Sequence, residues 1–344
     1  MNKISKILIA AHDAGGAQIL ACLMKKYQDH FEWVAYTVGP ARDIFNREGL
    51  KSGVVKTDNK SAIENIFKSV NPDLVLTGSG WASTLEIDFI KEAKSSSIKS
   101  AVFLDHWCNY RERFGYPKGW KSHLPDYVLV GDIWAYKIAL KNRFSTKILK
   151  KVENPYWQGV EESINLRYKR HKLIDSSGKI RVLYLSSPIT SHAKAWYGHE
   201  RYWGFTEFDQ LEDVADIIKN DEKLELRIRL HPAEPKKKYA CLKLDESCFT
   251  DHQKTDLVED CLQVDIIIGC DSMALVTGRM AGCYAISFIT GKKHPSSLPQ
   301  KDIIKVFSKQ ALSNRIKNFK RNNKIKFRSN SFFTQAFPEV VESF

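Results

Sequence analysis

Two short apolar runs in the second half of the chain each end in a small polar cluster. Leu226–Leu230 runs into His231-Pro232, and Val264–Ile268 runs into Gly269, Asp271 and Ser272, followed directly by a helix-like stretch. A third run, Ile180–Leu185, ends at Ser186-Ser187-Pro188, and Lys292, Lys293 and His294 follow a fourth, Tyr284–Ile289. Hydroxyls, ammonium groups and the amides of a helix start are what a phosphate-bearing ligand needs. In a parallel α/β sheet, the residues just past the carboxyl ends of the strands line the ligand crevice. The ordered set therefore predicts ligand contacts from Ser186, Ser187, His231, Pro232, Asp271, Ser272 and Lys292. Singly, each has a plainer alternative; a histidine at a strand end also serves as a structural hydrogen-bonder.

The first half supplies groups for acid–base work. His12-Asp13 follows the run Lys6–Ala11, Asp105-His106 follows Ser100–Leu104, and Glu86 lies near the start of a helix-like stretch. A general base must reach the proton it takes, and Asp13, His12 and Asp105 stand where strands would open into a crevice. Asp105 has an alternative role as a loop cap. Adjacent residues on a strand point to opposite faces, which argues against Asp105-His106 as a metal-ligand pair; no metal is expected.

The elements that must position these groups alternate. Lys6–Ala11, Trp33–Val38, Leu74–Thr77, Ser100–Leu104, Tyr127–Val130 and Ile148–Val152 read as buried strands, near-continuous apolar runs separated by helix-like segments. A short strand is also read at 53–56. The turn His12-Asp13-Ala14-Gly15-Gly16 is glycine-rich but is not G-x-G-x-x-G, so the dinucleotide fingerprint is absent. The pattern restarts at Ile180, with helices expected over Phe205–Lys219, Met273–Ala281 and Ile303–Lys317, a further helix-like segment after His231-Pro232, and a loop over Ile189–Gly204. Alternating strands and helices predict an α/β fold of doubly wound, mainly parallel sheets. The expected domains are 1–157, a linker over 158–178, and 179–344, with the last helix crossing back.

Bulk composition narrows the class. At 344 residues, with 43% hydrophobic and 27% charged residues, two globular domains are the expectation. No apolar run is long enough to span a membrane, and the basic, apolar N-terminus breaks at His12-Asp13 as a strand would. A cytoplasmic protein is expected. Seven cysteines without a C-x-x-C pair argue against a disulfide framework or structural zinc. The net charge of +13 suits anionic substrates, nucleic acid or the anionic inner face of the membrane, or simply solvated helix faces. No nucleic-acid-binding signature is present, and nucleic acid is not an expected partner.

The segment RLHPAE around His231 resembles the His-Pro motif of bacterial sialyltransferases, polysialyltransferases and Kdo transferases, which use CMP-sugars. GCDSMAL around Ser272 resembles their downstream Ser motif. The resemblance implies the GT-B architecture, two Rossmann-like domains facing a central cleft. It implies that His231, Pro232 and Ser272 hold the CMP moiety, and that an acidic residue of the N-terminal domain is the base. Asp13 is the position that matches, although the Asp/Glu-Asp/Glu-Gly form of that motif is absent; Asp105 stays as the second candidate. The implied activity is metal-independent transfer of an acidic sugar, a nonulosonic acid or Kdo, from a CMP donor to a surface glycan, capsule or lipopolysaccharide acceptor. No cofactor beyond the donor is implied. The same outline is shared by CDP-glycerol glycerophosphotransferases, UDP-sugar transferases and UDP-N-acetylglucosamine 2-epimerases.

Overall fold

The computed structural model describes the chain apart from residues 1–4, 56–58, 81–82, 172–177, 232–233, 246–247, 251–255, 292–293, 295 and 322–331. It divides into two compact units, Met1–Gln158 with Ser329–Phe344, and Gly159–Arg328.

In chain order the first unit contains β1 (Lys6–Ala11), α1 (Ala14–Lys26), β2 (Glu32–Thr37), α2 (Pro40–Arg47), α3 (Lys60–Val70), β3 (Leu74–Thr77), α4 (Leu85–Ser95), β4 (Lys99–Leu104), β5 (Tyr127–Val130), α5 (Ile133–Lys141) and β6 (Leu149–Lys151), then the start of α6 (Pro155–His171). The second contains β7 (Ile180–Leu185), α7 (Ile189–Tyr197), α8 (Glu207–Lys219), β8 (Leu224–Arg229), β9 (Phe249–Thr250), α9 (Leu257–Leu262), β10 (Ile266–Gly269), α10 (Ala274–Met280), β11 (Tyr284–Phe288), β12 (Ile304–Val306) and α11 (Lys309–Lys317). The final helix, α12 (Phe337–Val341), belongs to the first unit. Both sheets are parallel throughout. Their orders are β2-β1-β3-β4-β5-β6 and β12-β11-β10-β7-β8-β9.

Those orders locate the sites. In the first sheet the chain winds from β1 to β2 on one side, then returns to place β3 on the other. In the second it winds β7-β8-β9, then returns to place β10 beside β7. Ligands of open α/β sheets bind at such reversals, outside the carboxyl ends of the flanking strands. The two switch points are thus β1/β3 and β7/β10. Central strands are buried on both faces: Ile7, Leu8, Ile9, Ala10 and Ala11 are solvent-inaccessible, as are Ile266, Ile267 and Ile268. This is the helix-covered environment in which unbroken apolar runs form strands.

The structure corrects several element assignments. The strand read at 53–56 is, among the described residues, a single bridge from Gly53 to Tyr36. The expected helix over Ile303–Lys317 divides, because Ile304–Val306 pairs with β11 and the Ser308 hydroxyl, accepting from the Ala311 amide, starts α11 later. The helix expected from Phe205 begins at Glu207, set by a capping box of Thr206 and Asp209. The loop expected over Ile189–Gly204 opens with helix α7. The described part of the helix-like segment after His231-Pro232 holds only a 3-10 turn at Ala240–Leu242 and the edge strand β9. Among the described residues no helix is long and apolar enough to cross a membrane.

Candidate functional site

At the β1/β3 switch point the sequence-predicted pair His12-Asp13 is held on three sides. The His12 amide donates to Glu86 Oε1 at 2.7 Å, its carbonyl accepts from the Ala41 amide at 2.9 Å, and its Nδ1 lies 2.6 Å from Asp13 Oδ1. The hydrogen bond to Asp13 raises the imidazole's pKa above its ordinary value, against the opposing effect of burial, and the charges of Asp13 and Glu86 add to the rise. The two side chains keep 20% and 25% exposure, enough to meet a ligand. Glu86 itself is 4% exposed. Burial pushes its carboxyl up to about 7, and its second oxygen has no hydrogen-bond partner among the described residues. A carboxylate on Nδ1 fixes the ring's proton there and leaves Nε2 as the atom that takes or gives one. Asp13 therefore orients, and His12 is the group equipped to move a proton.

Asp105, the second predicted base, is committed elsewhere. Its Oδ1 accepts from the Ser79 hydroxyl at 3.1 Å and from Arg113, a guanidinium whose side chain is 6% exposed. Arg113 also donates to the Ser79 hydroxyl at 2.8 Å and, through Nε, to the Cys108 carbonyl at 3.2 Å. The Asp105 charge raises the guanidinium pKa against strong desolvation. Asp105 Oδ2 presses on the first turn of α1, where a Cβ on Gly15 would lie 1.9 Å away; the next residue, Gly16, would bring a Cβ to 2.9 Å from the Gly78 backbone. The Gly-Gly pair is thus required by close approach of β3, β4 and α1. Asp105 is a fixed counterion rather than an acceptor open to substrate. Behind it, Asp132 accepts from the Trp107 indole at 3.0 Å and the Ala135 amide at 2.7 Å, while burial pushes its carboxyl up to about 6.

At the β7/β10 switch point the structure assembles Ser186, Ser187, Asp271 and Ser272, with His231 at the end of the neighbouring β8. Several are engaged within the protein. The Ser186 hydroxyl is buried against the Tyr239 hydroxyl at 2.5 Å. The Asp271 carboxylate accepts the Ser297 amide at 3.0 Å, and the Ser272 hydroxyl accepts the Ala274 amide at 3.2 Å. Ser187, His231, Asp271 and Ser272 are half-buried. Pro232 and Lys292, the other predicted contacts, lie outside the described residues.

Sequence reasoning missed two supports. Arg113 is one; it stands in an irregular loop without periodicity, and its only signal is the charge itself. The other is a buried chain of charges. The His231 amide donates to Glu234 Oε2 at 2.9 Å, Lys238 bridges Glu234 and Glu207, and Glu207 accepts the Thr190 amide at 2.8 Å. This network fixes the loop after β8 to the starts of α7 and α8. The i,i+4 spacing of Glu234 and Lys238 was its one visible trace. Among the described residues no cluster of three or more His, Cys, Asp or Glu could hold a metal ion.

Comparison with known proteins places this geometry in a fold. No family model and no curated protein matches the chain. Solved structures do. The Staphylococcus aureus MnaA–UDP co-structure aligns over 97% of this chain and 94% of its own, with TM-score 0.68 and 12% identity. The Methanocaldococcus jannaschii UDP-GlcNAc 2-epimerase in complex with UDP-GlcNAc and UDP aligns over 92% and 94%, with TM-score 0.63 and 13% identity. The glycotransferase of kitacinnamycin aligns over 94% and 89%, with TM-score 0.55 and 10% identity. The chain has the GT-B type of fold, two Rossmann-like parallel-sheet domains.

Proposed function

We propose that the chain is a nucleotide-sugar enzyme that takes a UDP-linked sugar and moves a proton on it through His12. The observation that carries this reading is the triple fixation of His12 at the β1/β3 switch point, with Asp13 on Nδ1. Similar folds have been solved with UDP and UDP-GlcNAc bound, which supports a UDP-linked substrate. Epimerisation at the carbon next to the anomeric one breaks a C–H bond, its electron pair forming a C=C bond as UDP leaves; UDP then adds back as a proton returns on the other face. An imidazole whose proton affinity is tuned by a carboxylate suits the removal. Neutral Nε2 takes the proton, and the imidazolium so formed is stabilised by Asp13.

The test uses the intact chain with UDP-GlcNAc in D2O. The expected result is stabilisation against thermal unfolding by UDP and UDP-GlcNAc, with deuterium entering the sugar carbon of recovered UDP-sugar. His12→Gln should abolish exchange while keeping nucleotide binding. Absence of stabilisation by any UDP compound at millimolar concentration, or undiminished exchange in the His12 variant, would sink the proposal.

A second reading is favoured by one observation. His231 and Ser272, from the motifs that resemble CMP-sugar transferases, stand past the ends of β8 and β10, and those strands flank β7. On that reading His12 deprotonates an acceptor hydroxyl on a surface glycan or lipopolysaccharide, the donor carries CMP, and the basic chain works at an anionic membrane face. Stabilisation by CMP and not by UDP, with no deuterium incorporation, is the result that selects it.

A further inference from the structure

The loop after β4 carries a nucleophile for which acid–base work at His12 has no use. Cys108 Sγ lies 3.3 Å from His106 Nδ1, within reach for transfer of the thiol proton to the imidazole. Both residues are half-buried and so reachable by a small reagent. The groups around them act in both directions. Arg113 donates to the Cys108 carbonyl and favours a negative sulfur; the charge of a Cys108 thiolate in turn favours charged Arg113. Asp105, itself neutralised by Arg113, the hydroxyl of Tyr110 and the carboxyl of Asp132 belong to the same neighbourhood.

Most of the other thiols are poorly placed to compete. Cys261, Cys270 and Cys283 are buried. Burial pushes the Cys22 thiol up to about 11 and raises that of Cys248. Cys241 is exposed, and no side-chain hydrogen bond to it is seen among the described residues.

From this pairing we infer that Cys108–His106 is a thiol–disulfide exchange site, a place where small-molecule disulfides attach to the protein. His106 takes the thiol proton, and the sulfur attacks one sulfur of the disulfide. The old S–S bond breaks as the new one forms, and the second sulfur leaves as a thiolate. No other oxidant is needed, since the disulfide supplies the oxidising equivalents.

The experiment follows the reaction of the full chain with 4,4′-dithiodipyridine from pH 5 to 9.5, with each cysteine read by peptide mass spectrometry. Half-burial slows Cys108 equally at every pH, so the midpoint of its rate profile is the informative quantity. The reference is Cys108 in the urea-unfolded chain, where an ordinary thiol titrates near 8.5. The expected midpoint in the native chain is at least about one unit lower. Each unit multiplies the thiolate at pH 6 by about ten and reduces its intrinsic reactivity about threefold, a net gain of about threefold. His106→Gln should return the midpoint toward the unfolded value. A native midpoint at or above the unfolded one, or one unmoved by a folded His106→Gln chain, overturns the inference. Should that variant fail to fold, the wild-type midpoint decides alone.

Discussion

Glu86 is a carboxyl group buried where, among the described residues, only one of its oxygens has a partner. Its pKa is raised to about 7 by burial, against a value near 4.3 in an unfolded chain. Between those values the native state holds a proton that the unfolded state has lost, so stability falls as pH rises through this window and is fully present only below it. The shift corresponds to an order of magnitude of about 3 kcal/mol. Glu86→Gln keeps an acceptor for the His12 amide and removes the titration. Urea unfolding at pH 5 and pH 8 should show the variant losing less stability between the two than the wild type. Equal losses would show that Glu86 does not titrate in this window. Asp13 sets a second pH effect. Its hydrogen bond raises the His12 pKa, so Asp13→Asn should move the acid limb of the pH–rate profile to lower pH and reduce the maximal rate. An acid limb unmoved in that variant would assign the limb to another group.

At the scale of elements, the loop between β4 and β5 is pinned by one buried ion pair, Asp105–Arg113, and tied to the end of β3 through the Ser79 hydroxyl. Removing one partner of such a pair leaves an uncompensated charge and typically costs about 3–5 kcal/mol. Arg113→Ala should therefore destabilise by that order, whereas Asp105→Asn combined with Arg113→Leu should recover much of the loss. Chemical denaturation of the two variants compares them directly, and equal losses would show that the charge pair is not what matters. A contrasting expectation belongs to α6. A Cβ on exposed Gly159 would meet nothing within 4 Å, so Gly159→Ala should stabilise by about 0.5–1 kcal/mol. An unchanged or lower midpoint in the same assay would show that the backbone there is not plainly helical.

The same scale shows what could be read from sequence. Central strands were legible because burial on both faces requires unbroken apolar runs, as in KILIAA and VDIII. β9 and β12 were not, since neither stands out as an apolar run bounded by turn residues. Phe249–Thr250 is too short, and Ile304–Val306 leads into a helix without a composition change. In α7 only Ile189 and Ala193 are buried, one turn apart, and the exposed His, Trp and Tyr side chains hide that period. At the site, His12, Asp13, Ser187 and His231 were legible because a position just past a strand is a property of the chain. The commitment of Asp105 to Arg113, of Ser186 to Tyr239 and of Asp271 to the Ser297 amide was not. Those partners lie 8, 53 and 26 residues away, and nothing local announces them.

At the scale of the molecule, the first unit is built from both ends of the chain. Phe337 is fully buried in its core, with Tyr27, Phe31 and Trp33 around it, and Phe344 stacks on Tyr127 at 3.9 Å between ring centroids. Emptying that position should cost about 3–5 kcal/mol. For Phe337→Ala, hydrogen exchange should show lost protection in β1, β2 and α1, while amides of β7, β8 and β10 keep theirs. Uniform loss across both sheets would contradict the division into two units.

That closure has a consequence during synthesis. A chain leaving the ribosome exposes β1 to β6 first, yet the aromatic plug that seals their core is translated only after the whole intervening unit. At about 5–20 residues per second the early sheet waits roughly 10–40 s for its last helix. Over that interval Trp33, Tyr27 and Phe31 offer an uncovered apolar surface, the kind of nascent feature that chaperones bind.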